Sequence, residues 1–92
     1  VKHAGPTALA ALAPLLAEVR DIAPGVISGV TERRPGTFYA RGQALLHFHE
    51  DPAGLFADLK VDGDWQRFAV NRPAERATFL AAWRRRVANL KS

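Results

Sequence analysis

Cysteine is absent from the 92 residues. That excludes disulfides, thiolate metal sites and a cysteine nucleophile. Methionine is absent as well, and with Val1 first this reads as a trimmed terminus or an alternative start codon. Serine occurs only at Ser28 and Ser92, so no Ser-His-Asp arrangement can be built. No long hydrophobic run exists. The longest apolar stretch, Ala8 to Ala17, is interrupted by Pro14 and is too short to span a bilayer. Glu18, Arg20 and Asp21 follow it directly, which does not suit a signal peptide. These absences point to a cytoplasmic protein with no membrane partner. No stretch calls for a cofactor: Pro24-Gly25-Val26-Ile27-Ser28-Gly29 fits neither a dinucleotide fingerprint nor a P-loop and reads as a helix stop and a bend.

The length is that of one domain, residues 1–92, with 1–6 expected to fray. Such a chain buries roughly 60–68% of the surface its unfolded form exposes, enough for a single core. The net charge of +4 is unevenly spread. Residues 1–41 carry +2, residues 42–64 carry −4 and residues 65–92 carry +6. A basic end can attract phosphate, and it can equally be the solvated face of a helix. Ten arginines against three lysines are consistent with a GC-rich genome.

Thr7 is a candidate N-cap for a helix running to about Ile22, with Leu9, Leu12, Leu16, Val19 and Ile22 as its apolar stripe. Pro14 implies either a kink or a later helix start. Ala23-Pro24-Gly25 ends the helix. Val26–Val30 reads as a short strand or an ordered connection, and Thr31–Gly36 as a polar segment closed by a Pro35-Gly36 turn. Four strands follow: Thr37–Arg41, Ala44–His49, Leu55–Val61 and Trp65–Val70. Asn71-Arg72-Pro73 opens a last helix to about Leu90, with Phe79, Leu80, Trp83, Val87 and Leu90 facing inward. The expected fold is α+β: a four-stranded antiparallel meander with N-terminal and C-terminal helices packed on one face.

Register sharpens this picture. Asp62-Gly63 suits a two-residue type I′ hairpin. That turn pairs Val61 with Asp64, Leu59 with Gln66, Ala57 with Phe68 and Leu55 with Val70 on the core face. It leaves Lys60 with Trp65, Asp58 with Arg67 and Phe56 with Ala69 on the other. If Glu50 faces Leu55 across the 50–54 loop, His47 faces Asp58. His47 and His49, two apart, then point the same way. A three-residue turn at Arg41-Gly42-Gln43 adds Tyr39. The result is a candidate ligand-binding face of Tyr39, His47, His49, Asp58 and Arg67, walled by Phe56 and Trp65. It would suit a small anionic molecule or a protein partner, including a second copy through the sheet face.

Two other readings stay open. The basic end offers Arg76, Arg84, Arg85, Arg86 and Lys91 to a nucleic acid without sequence preference, although three consecutive arginines fan over roughly 200° of a helix. His47 and His49 with Asp58, or with Glu50, could hold the metal of a hydrolase, because imidazole pairs are common ligands. A solvated sheet face with no ligand is the plain alternative to all of them.

Gly29-Val30-Thr31-Glu32, Thr37-Phe38-Tyr39, His47-Phe48-His49-Glu50-Asp51 and Ala57-Asp58-Leu59 form a short series that resembles the MmcQ/YjbR-like group of small bacterial proteins. The His-x-His and Ala-Asp-apolar strands also resemble a small luciferase-like domain. The resemblance spans about residues 26–90. It implies an α+β fold with a hairpin and a closing helix, and it points to no particular activity. A DNA-binding description attached to the group follows from fold, and fold does not fix function. Those families place a longer segment with a helix between the third and fourth strands, where this chain has only Asp62-Gly63-Asp64.

Overall fold

The computed structural model describes residues 2–90, with Val26 described by its main chain alone. The order is strand β1 (Lys2–His3), helix α1 (Pro6–Ile22), a one-turn helix α2 (Gly25–Ser28), strands β2 (Val30–Arg34), β3 (Thr37–Ala40), β4 (Gln43–Asp51), β5 (Gly54–Val61) and β6 (Asp64–Ala69), and helix α3 (Pro73–Leu90). The fold is α+β. The antiparallel sheet has six strands, five of them in meander order β2-β3-β4-β5-β6, with β1 joined to β4. The expectation of four strands is therefore corrected, and both additions have a physical reason.

Strand β2 lies in the segment that reads as polar loop. It is an edge strand, and Val30 is its only buried residue. Its hydrophilic run Thr31–Arg34 therefore lacks the alternation that marks a half-buried strand. It bulges between Glu32 and Arg34 and turns through Pro35-Gly36, where Gly36 has φ 79°. Strand β1 lies where fraying was expected. Strand β3 pairs with β4 only as far as Thr37–His47, and β1 continues that same edge through His3–His49 and Lys2–Glu50. A Lys2–Glu50 ion pair at 3.2 Å adds to the contact, although exposed pairs stabilise little.

Both long helices cover one face. Helix α1 buries Ala8, Leu12, Leu15, Leu16 and Val19. It starts at Pro6, capped by the Gly5 main chain rather than by Thr7, and it carries Pro14 inside on its exposed side. Helix α3 buries Phe79, Leu80, Trp83 and Val87. The Glu75 carboxylate accepts the main-chain N–H groups of Asn71 and Arg72 at 2.9 and 3.0 Å, satisfying donors before the first turn. These residues share one core with Phe38, Leu46, Phe48, Ala57 and Leu59 from the sheet. Trp83 meets Phe38 with ring centroids 6.1 Å apart and donates its indole N–H to the Val19 carbonyl. Phe79 meets Phe48 and Phe68 edge-on.

The register about β5 follows from its two tight turns. Val61 pairs with Asp64, Lys60 with Trp65 and Asp58 with Arg67. Leu46 pairs with Leu59, His47 with Asp58 and His49 with Phe56. The turn before β4 differs from expectation. It has two residues, Arg41 and Gly42, at φ 53° and 77°, and Ala40 pairs directly with Gln43. An irregularity between Phe38 and Tyr39 then absorbs Leu45 as an extra residue, restoring Phe38 opposite Leu46 and Thr37 opposite His47. Turn and bulge compensate, so Tyr39 still shares a face with His47. Leu45 and Leu46 are both buried, a departure from strict alternation that the bulge permits.

Candidate functional site

Strand parity sends Leu46, Phe48, Ala57 and Leu59 toward the helices, so the residues between them emerge on the opposite face. There the sheet carries Tyr39 from β3, His47 and His49 from β4, Phe56, Asp58 and Lys60 from β5, and Trp65 and Arg67 from β6. The five residues singled out from the sequence, Tyr39, His47, His49, Asp58 and Arg67, lie together on this face. Strand β1 adds His3, which the sequence reading left in a frayed end.

The rings form one connected cluster. His3, His47 and His49 make a triangle with centroids 5.2–5.8 Å apart. His47 also approaches Trp65 at 5.1 Å and Tyr39 at 6.5 Å. Trp65 therefore leans across β5 to meet a residue of β4. Cations border the cluster: Arg33 lies 4.1 Å over Tyr39, Lys60 lies 5.5 Å from the Trp65 ring and Arg67 lies 5.4 Å from Phe56. Cation–π attraction keeps these side chains on the rings.

Asp58 is the hub of the polar part. Arg67 grips it through two parallel hydrogen bonds at 2.8 and 2.9 Å, the fork geometry that guanidinium and carboxylate share. His49 Nε2 lies 3.0 Å from its Oδ2. The Arg67 guanidinium holds the Asp58 carboxyl below the ordinary carboxylate range, and the nearby imidazoles act in the same direction. Burial pushes the His49 pKa down, against the pull of Asp58, with His3 and Arg67 adding repulsion. Burial likewise lowers His47, reinforced by His3, His49 and Arg34. Burial thus favours the neutral form of both imidazoles.

Two ring nitrogens then stand out. His47 Nε2 is buried without a hydrogen-bond partner of good geometry, as is His49 Nδ1, which lies by the Lys2 main chain. A buried polar atom left unpaired costs about 1–3 kcal/mol. Thr37, opposite His47, is buried too. The middle of the face is therefore half-shielded, while Arg67 and Trp65 remain open to solvent. Trp65 is 46% exposed and is the one large exposed apolar side chain among the described residues of this face. The face is ionic and aromatic rather than broadly apolar.

Among the described residues, no three His, Asp or Glu side chains converge as a ligand set. Asp58 gives one oxygen to His49 and both to Arg67, and Glu50 points elsewhere, accepting from the Gly5 N–H and pairing with Lys2.

The basic run of α3 does not form one surface. Arg76 donates to the Val70 and Ala11 carbonyls, tying β6 to α1, and Arg86 donates to the Lys60 carbonyl at 2.7 Å. Arg84 and Arg85 are exposed, and Lys91 lies outside the described residues. A cavity of about 260 Å³ between Arg41, Lys60, Arg86 and Leu90 sits at the sheet end, away from the imidazoles. No helix among the described residues is long and apolar enough to cross a membrane.

His3 was invisible to pattern reading because a two-residue strand has no period. Arg33 was missed because its segment carried no strand signal. No known protein family, curated protein or solved structure matches the chain, so the likeness to MmcQ/YjbR-like and luciferase-like proteins rests on short motifs alone.

Proposed function

We propose that the protein is a binding domain whose open sheet face, centred on His47, His49, Asp58 and Arg67, takes an anionic partner. One observation carries this reading: a cluster of three imidazoles ringed by Arg33, Lys60 and Arg67, on the face the helices leave free. Asp58 is already engaged by Arg67 and His49, so it orients those donors instead of repelling an anion. Arg34, near enough to depress the His47 pKa, adds to the positive field.

The chemistry has a direction in pH. An anion seated beside His47 favours the imidazolium, so binding takes up a proton and tightens on acidification. Titration with inorganic tripolyphosphate, followed by amide and imidazole NMR shifts, tests the reading. Shifts should concentrate at His47, His49 and Arg67 and should grow from about pH 7.5 to pH 6. Shifts confined to Arg84 and Arg85, or none at low salt, would remove the assignment. A nucleic-acid surface on α3 has less support, because Arg76 and Arg86 are held by main-chain carbonyls.

A further inference from the structure

Small-molecule sites are concave. The described cavities lie at the sheet ends or against the helices, and none is lined by His3, His47, His49, Trp65 or Arg67. The candidate face is instead a ribbon of rings laid across strands, running Tyr39, His47, Trp65. Cations flank it at both ends, Arg33 by Tyr39 and Lys60 by Trp65, with Arg67 alongside. A run of tilted aromatic rings interleaved with positive charge matches an extended polyanion that carries planar groups at intervals.

We infer that the occupant is a single-stranded nucleic acid, a base stacking on Trp65 and its phosphates meeting Arg33, Lys60 and Arg67. This rests on the anion-binding reading above and specifies the ligand. Single strands are held without sequence readout by such a pairing of aromatic platforms with a basic track. A duplex buries its π-faces in its own stack and offers only phosphates. The field of the face suits the charge: Arg33, Arg34, Lys60 and Arg67 outnumber Asp51 and Asp58, and Asp58 is bound to Arg67. Trp65 is the natural anchor because its ring, reaching from the edge strand β6 to His47 of β4, remains nearly half exposed.

The two tryptophans make the test clean. Trp83 is fully buried and bonded to Val19, so a change in emission on binding reports Trp65. The full chain is titrated with a short oligothymidylate, with an abasic strand of the same length and with a duplex, at low and high salt. The oligothymidylate should quench emission and bind about tenfold more tightly than the abasic strand, the scale of one stacked base. Trp65→Ala should lose about the same factor with the circular-dichroism spectrum unchanged. Arg84→Ala with Arg85→Ala should bind like the parent. Equal binding of base-bearing and abasic strands without quenching would overturn the stacking inference while leaving the anion reading standing. Preference for duplex, or loss of binding only in the Arg84/Arg85 variant, would overturn it as well. No binding of any strand at low salt, with no tripolyphosphate shifts on the sheet face, would remove both.

Discussion

Gly54 closes the β4–β5 hairpin that sets His47 against Asp58, and its replacement by alanine should be among the most damaging one-carbon changes in the protein. Its φ is +135°, a backbone region open mainly to glycine. An added Cβ would stand 2.8 Å from Asn71 Oδ1 and 2.9 Å from Nδ2. Those two atoms clasp the Leu55 main chain: Oδ1 accepts its N–H at 2.8 Å and Nδ2 donates to its carbonyl at 3.2 Å. Backbone strain of this kind costs about 1–3 kcal/mol. Displacing Asn71 would forfeit two hydrogen bonds of about 0.5–1.5 kcal/mol each. The sum is about 2–6 kcal/mol, and in a domain of this size each kcal/mol lowers the melting temperature by roughly 4–8 °C. Urea denaturation of the four members of a Gly54→Ala, Asn71→Ala cycle separates the parts. In the Asn71→Ala background only the backbone cost should remain. A Gly54→Ala protein within about 0.5 kcal/mol of the parent would refute the strain argument. An equal penalty in both backgrounds would refute the clash.

Stability should fall on mild acidification, because His47 and His49 titrate at lower pH in the folded chain than in the unfolded one. The unfolded chain binds protons first as pH drops below about 6.5, and each histidine can add a slope of at most about 1.4 kcal/mol per pH unit. Urea midpoints between about pH 7.5 and pH 5 measure this, and His47→Gln should flatten the curve; an unchanged slope would contradict the burial argument. Asp58, whose pKa is depressed by Arg67, adds a further loss only at more acidic pH. Asp58→Asn removes the carboxylate that pulls the His49 pKa up, so that pKa should drop further; an upward shift in the imidazole NMR titration would deny that the pair interacts. Trp83→Phe should cost about 1–3 kcal/mol through the lost bond to Val19 and a small void, and it should leave the red-shifted emission of exposed Trp65; blue emission would place that ring elsewhere.

The sequence made the sheet's parity readable because Asp62-Gly63 fixes one register and the spacing of Glu50 and Leu55 fixes the next. Every pair on β5 follows from those two turns. What escaped lay where local pattern carries no information. Thr31-Glu32-Arg33-Arg34 forms a strand because β3 offers it an edge, and an edge strand with one buried residue needs no alternation. The Arg41-Gly42 turn is shorter than expected because Arg41 accepts a left-handed conformation, with its guanidinium anchored on the Leu90 carbonyl 49 positions away. The resulting one-residue offset is taken up at Leu45, so an incorrect turn length still led to the right neighbour for Tyr39. Helix α1 begins before Thr7 because Pro6, already restricted to helical φ, needs no side-chain cap to start it.

The same contacts argue that the open face is shaped by something other than stability. On a sheet surface of this area, threonine and valine would pair across strands without an unpaired nitrogen. This chain instead places three imidazoles within 6 Å of one another and suppresses the charge of two of them by burial. It then commits its partly shielded carboxylate to hold an arginine and a histidine in fixed orientation. On the anion-binding proposal, an arriving acceptor would meet donors already held in place, which lowers the ordering cost of binding. The basic residues of the same molecule divide accordingly: Arg76 and Arg86 spend their donors on main-chain carbonyls and finish as struts, whereas Arg33 and Lys60 lie over the rings of Tyr39 and Trp65 on the open face.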